Sequence, residues 1–217
     1  VIKGYGNPKL TLENFWLMLR ELRQRGIREI RGDLVLDRGY FMVSDTDTGL
    51  FDNEPHRPYN VAPDALLLNF KSIRLLFIPD TEKRAVRVVA DPLLSQLDIV
   101  NGLTLKDEPC GEWKPKLVSD IQATAKSARI VLNGIYPAGC GEQTWYVALF
   151  GHPQYVYSVF KELWQELGGT LKGTVREADT PTDARLIFSG ESATLGEAVR
   201  DINKWSNNVM ARQLFLT

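Results

Sequence analysis

The stretch "LRELRQRGIREIRGDL" at 19–34 returns, in altered form, as "FKELWQELGGTLKGTV" at 160–175. Glu21 and Glu162, Leu22 and Leu163, Gln24 and Gln165, and Gly32 and Gly173 are identical at a constant offset of 141. Apolar positions also match, as in Leu19/Phe160, Ile30/Leu171 and Leu34/Val175. The first copy begins inside an amphipathic helix over 11–26, with Thr11 as N-cap and Leu12, Phe15, Trp16, Leu19 and Leu22 at helical spacing. Gly26 ends it as a C′ residue. "IRGDLVLD" then alternates as a half-buried strand, with the RGD triplet (31–33) inside it and given no adhesive meaning. The second copy is a helix over 153–167, stopped by Gly168 and Gly169, followed by the β segment "TLKGTVREA". Two helix–strand units of one kind flank what lies between them.

Between them the periodicity changes from 3.6 to 2. From 67 to 147 short β-rich runs dominate, among them "IRLLFI", "AVRVVA", "RIVLNGIY" and "TWYVALF", separated by turn clusters. The expected fold is therefore α+β and multidomain. A split α/β domain, 1–66 and 148–190, is interrupted by a small all-β domain at 67–147. The stretch "ALLLNF" at 65–70 reads as a buried strand or short helix. The loop at 40–65, rich in Asp, Pro, Asn and aromatics, has the length of a functional loop.

The 44% hydrophobic and 24% charged fractions suit a globular chain, and the net charge of −1 gives no field for nucleic acid. No apolar run approaches the roughly 18 residues that a membrane span needs. Val1 stands where a Met would open a whole protein, so the chain reads as an excised piece. Cys110 and Cys140 lie in loop signals, either as two free buried thiols or as one disulfide closing about thirty residues. Both readings stay open on the residues alone.

The chain closes with "SATLGEAVRDINKW", a helix with a Thr194/Glu197 capping box and an apolar stripe of Leu195, Ala198, Val199 and Ile202. Then come Ser206, Asn207 and Asn208, and a second helix starts near Asn207 or Asn208. An isolated Ser-x-Asn at a helix junction is ordinarily an N-cap and a turn. With a capped helix before it, however, "SNNVMARQL" resembles the second active-site motif of serine penicillin-binding proteins, which combine S-x-x-K, S-x-N and K-T-G elements.

The closest resemblance is to the D-alanyl-D-alanine carboxypeptidase/endopeptidase family, class C of the low-molecular-mass group. It extends to "VIKGYGNPKL", "GIREIRGDLVLD" and "RPYNVAPDALLLNF". The resemblance implies a transpeptidase-like (serine β-lactamase-like) domain, begun here by 191–217 and interrupted by the split α/β domain and its β insert. It implies that Ser206 relays a proton toward the leaving amine and that Asn208 binds the substrate's peptide group, with Asn207 the variable middle residue. It implies that Asp52, or Glu54 beside it, pairs with the amine of a peptidoglycan stem peptide. Further implications are β-lactam binding by the intact enzyme, no cofactor, a location in the periplasm or cell envelope, and hence a Cys110–Cys140 disulfide.

Departures matter as well. No K-T-G, H-T-G or K-S-G follows Asn208. The one tempting S-x-x-K, Ser158 to Lys161, places its serine on what reads as the solvated face of its helix, so it is set aside as a decoy. The expected reading is a fragment that is inactive by itself, lacking its nucleophile. The alternative is a non-catalytic cell-wall or partner-binding module, whose last helices would pack their apolar side where a fragment would expose it. The acidic run "DTDTGLFDNE" (45–54) departs from an EF-hand loop in its Gly position and lacks the closing Glu, so no metal is expected. His56 and His152 have no partner pattern and read as surface residues.

Overall fold

The computed structural model describes residues 1–43, 48–50 and 52–217. These form two compact units, one made of Val1–Lys71 with His152–Thr217 and the other of Ser72–Gly151. The β block thus begins and ends a few residues later than 67–147, and 191–217 lies in the first unit.

The first unit starts with strand β1 (Ile2–Lys3), helix α1 (Leu12–Gln24) and strands β2 (Glu29–Ile30) and β3 (Leu34–Asp37). Thr11 caps α1 by accepting from the Asn14 N–H, and Gly26 follows its end at φ 90°. Past the β block, whose strands are numbered β4 (Ile73–Asp80) to β9 (Gln143–Val147), come α2 (His152–Glu166), β10 (Thr170–Leu171) and β11 (Val175–Glu177). All pairings in this unit are parallel: β1–β3–β11 in one sheet and β10–β2 in another.

The register repeats the sequence offset. Ile30 faces Leu171, and Leu34, Val35 and Leu36 face Val175, Arg176 and Glu177. The strand residues of one copy of the repeat are thus paired with their counterparts in the other. Asp33 extends the match by accepting the Thr174 N–H at 2.9 Å. The helices meet too, with Phe15 and Phe160 edge to face, 6.3 Å apart. Arg23 of α1 donates to the carbonyls of Leu167 and Gly168 at the end of α2.

Three local expectations are corrected. Strand β3 is buried on both faces, Val35 included, because parallel strands are covered on two sides. The RGD triplet lies in the gap between β2 and β3 rather than in a strand. Ala65 to Leu68 are buried but form neither strand nor α-helix; a single bridge joins Leu68 to Leu10, and Asn69, Phe70 and Lys71 all have positive φ.

In the second unit, β4 (Ile73–Asp80), β5 (Ala85–Asp91) and β9 (Gln143–Val147) form an antiparallel sheet ordered β5–β4–β9. Strands β6 (Leu97–Lys106), β7 (Leu117–Ala123) and β8 (Ala128–Pro137) form another, with β8 central and parallel to β6. Inward residues alternate as a two-residue period requires: Ile73, Leu75 and Phe77 on β4, and Ala128, Ile130 and Leu132 on β8. Phe77, Trp113 and Tyr136 cluster with ring centroids 5.2–5.9 Å apart. Because β6 and β8 run side by side, the loops leaving their ends come together, and Cys110 and Cys140 form a disulfide there.

The chain ends in α3 (Leu195–Trp205) and α4 (Asn208–Leu216). Thr194 and Glu197 form the expected capping box. The apolar stripe of α3 differs from expectation: Ala198 is buried and Ile202 half-buried, but Leu195 and Val199 are exposed. On α4, Val209 and Met210 are buried, whereas Phe215 is 90% exposed.

Candidate active site

Ser206 closes α3 in the left-handed conformation, φ 48° and ψ 43°, a region that residues other than Gly enter infrequently. Its N–H and that of Asn207 both point to the Ile202 carbonyl. The Asn207 side chain accepts the Met210 N–H at 3.0 Å and so caps α4. An ordinary Ser-x-Asn junction would give that cap to the serine. With Asn207 as the cap, the hydroxyl of Ser206 and the amide of Asn208 have no hydrogen-bond partner among the described residues, and both residues are exposed.

Helix α4 is held from its other side. Gln213 is fully buried, and its amide bridges the main chain of Asp64: the Asp64 N–H donates to Oε1 at 2.9 Å, and Nε2 donates to the Asp64 carbonyl. Arg212 Nη2 donates to the Tyr59 carbonyl at 2.8 Å, while its Nε reaches back to the Asn208 carbonyl at 3.3 Å. On α3, Lys9 Nζ lies 2.6 Å from Asp201.

Asp52 belongs to the segment gripped by Arg212. Its carboxylate accepts from the Tyr59 hydroxyl, the Asn60 side-chain amide (2.8 Å) and the Glu54 N–H (3.0 Å). The Tyr59 hydroxyl contributes most to holding the carboxyl below its usual pKa, partial desolvation opposing it and Asn60 and Glu54 adding to it. Glu54 instead pairs with Arg57 at 3.2 Å. Asp45 and Asp47 of the acidic run lie outside the described residues.

Behind the site is a polar hub that the sequence reading missed. Arg38 pairs with Asp64 and Glu177, and Asp64 also accepts the Leu66 N–H at 2.8 Å. His152 was expected at the surface, but its side chain is only 12% exposed, and its Nδ1 stands 4.0 Å from Asp64. The Ala62 main chain approaches the ring, yet neither nitrogen makes a well-directed hydrogen bond. Burial pushes the imidazole down to about 3; Asp64 pulls it back, and Lys71 and Arg38 deepen the depression. Lys71 itself is lowered to about 8, mainly by burial. The visible signal for Gln213 was a polar residue at i+4 from Val209, on the apolar side of α4.

Ser158 is also corrected. It is 1% exposed, with its hydroxyl accepting from Gln154 Nε2 at 3.1 Å. Tyr155, Val156, Val159, Phe160 and Trp164 are buried on the same helix, so α2 is covered on more than one side and keeps no solvated face at Ser158. No lysine amine hydrogen-bonds to that serine among the described residues.

The chain belongs to the D-Ala-D-Ala carboxypeptidase 3 (S13) family, whose model matches residues 1–217. Among its relatives, the D-alanyl-D-alanine carboxypeptidase DacB of Haemophilus influenzae is 35% identical over 65 residues, which are 30% of this chain and 14% of that protein. The fold resembles the crystal structure of penicillin binding protein 4 (dacB) from the same organism, with a TM-score of 0.72 and 21% identity over 98% of this chain and 46% of that one. A second structure of that protein, complexed with a novel β-lactam, matches with a TM-score of 0.64 and 20% identity over 98% of this chain and 44% of that one. The chain thus spans less than half the length of the relatives it matches. No helix among the described residues is long and apolar enough to cross a membrane.

Proposed function

We propose that this chain supplies the Ser-x-Asn wall and the accessory domains of a serine D-Ala-D-Ala carboxypeptidase/endopeptidase that trims peptidoglycan stem peptides in the periplasm or cell envelope. The observation that supports this most is the junction itself. Asn207 alone does the capping, which leaves Ser206, at the end of α3, and Asn208, at the start of α4, exposed beside a helix anchored by Val209, Met210 and Gln213.

In this reading a nucleophilic serine from an S-x-x-K element attacks the carbonyl of the penultimate D-Ala, forming an acyl-enzyme that water then hydrolyses. The Ser206 hydroxyl passes a proton to the departing amine. The Asn208 amide donates to and accepts from the substrate's peptide group and steadies the lysine near the nucleophile. Asp52, anionic throughout the physiological range, pairs with the amine on the third residue of the stem peptide. The β-lactams acylate the same serine.

The 217-residue chain and its Ser158→Ala variant, incubated with a fluorescent penicillin, both stay unlabelled. Label that disappears in the variant overturns this reading. In the intact enzyme, Asn208→Ala slows acylation by about 100-fold or more, within the range of losing a preorganised polar group at a reacting centre.

A further inference from the structure

We propose that Arg212 and Gln213 fix the spacing between Asp52 and Asn208, and thereby set how strictly the enzyme demands an amine on the substrate's side chain. The inference rests on the function proposed above and concerns positioning residues, not groups that touch substrate.

Consecutive residues of α4 grip one segment at two points: Arg212 holds the Tyr59 carbonyl, and the amide of Gln213 bridges the N–H and carbonyl of Asp64. The same segment folds back on Asp52. The Tyr59 hydroxyl and the Asn60 amide donate to its two carboxylate oxygens, and Asn60 also donates to the Glu54 carbonyl at 3.0 Å. Arg212 closes the path to its own helix, its Nε donating to the Asn208 carbonyl. From Asn208 to Asp52 the route therefore runs through Arg212 and Tyr59 without leaving hydrogen-bonded groups.

A buried amide whose two polar atoms both meet main chain is costly to bury for packing alone, since a Leu would fill the space without needing partners. What the amide adds is register. A helix held by apolar contacts can slide or roll by a fraction of an ångström, whereas paired donor and acceptor contacts to the main chain of one residue admit a single placement. A substrate that must reach both Asn208 and Asp52 senses that placement. A penicillin, which lacks the third stem residue, reaches only the Asn208 end.

The test uses the intact enzyme. It measures kcat/KM for a stem peptide whose third residue bears a free amine, kcat/KM for the same peptide with that amine acetylated, and the rate of penicillin acylation. Arg212 is exposed, so Arg212→Ala is the folding-safe variant; Gln213→Ala strips partners from two buried main-chain groups and is read only if its unfolding transition remains cooperative. The expected result for Arg212→Ala is a loss of about fivefold in preference for the free amine, carried by KM, with penicillin acylation within about twofold of wild type. Arg212→Lys, which keeps one donor for the Tyr59 carbonyl, restores most of the preference.

An unchanged preference in Arg212→Ala, where Asp52→Asn removes it, overturns the inference alone. So does a fall in penicillin acylation as large as the fall with peptide, which would mean that the residues merely hold α4 in place. Full acylation in Asn208→Ala overturns the proposed function instead.

Discussion

Gly32 and Gly173 are equivalent in the repeat but not in space: a Cβ on Gly173 would lie 2.2 Å from the Gly32 carbonyl oxygen, whereas a Cβ on Gly32 would meet nothing within 4 Å. One glycine is there so that two backbones can approach, and the other makes no such demand. Gly173→Ala should destabilise the protein by about 1–3 kcal/mol, the usual range for overpacking a closed contact. Gly32→Ala should be neutral within about 0.5 kcal/mol or slightly stabilising. Urea midpoints of the two variants check this, and equal midpoints would contradict the register of the repeat.

Asn207, and not Ser206, carries the cap of α4. Asn207→Ala should cost about 1 kcal/mol, whereas Ser206→Ala, which removes no hydrogen bond seen among the described residues, should cost little. Thermal unfolding distinguishes the pair. A larger cost at Ser206 would mean that its hydroxyl is structural.

His152 makes stability depend on pH near neutrality. Its folded pKa of about 3 lies below the ordinary 6.5, so the unfolded chain takes up the proton first. Stability should be unaffected by this group above pH 6.5 and should fall as pH drops from 6.5 toward 3, by at most about 1.4 kcal/mol per pH unit. His152→Gln should flatten the curve between pH 6.5 and 4.5, as denaturant midpoints at pH 7 and 5 would reveal.

Asp37, at the end of β3, titrates lower still. Burial alone would raise its pKa, but the Thr180 hydroxyl and N–H, the Lys3 ammonium at 3.1 Å and the Gly39 N–H together hold it at about 2. Its folded value lies below the unfolded one, so its contribution is complete above about pH 4 and is lost as pH falls toward 2. Asp37→Asn should therefore be less stable at pH 7 and show a shallower acid limb below pH 4, a window that overlaps that of His152 only between about pH 4 and 3.

The disulfide closes a loop of thirty residues in the β block. Reduction should lower the unfolding free energy of that unit by roughly 3.5 kcal/mol through chain entropy. Urea unfolding with and without reductant, followed by the fluorescence of Trp113 and Trp145, measures it.

Much of the chain could be read from its residues because the signals were local. The Thr11 cap, the Thr194/Glu197 box, the glycines after α1 and α2 and the change of period at the β block each act within a few positions. The repeat at offset 141 also stood in the letters, and so did the Ser-x-Asn motif. What the letters could not state was that the strands of the two copies would pair with each other in the register of the offset, since pairing is a long-range choice made by burial of both faces of β3. Nor could they assign burial to Ser158 and His152, which read as polar surface, or to Gln213. A side chain's pattern on its own helix says which residues share a face, but only the neighbouring elements decide how many faces are covered. At the site, sequence alone named Ser206 and Asn208. Tertiary structure decided that Asn207 is the cap and that Arg212 and Gln213 tie α4 to the segment bearing Asp52, because each of these roles needs a partner elsewhere in the fold or a backbone geometry that no local spacing encodes.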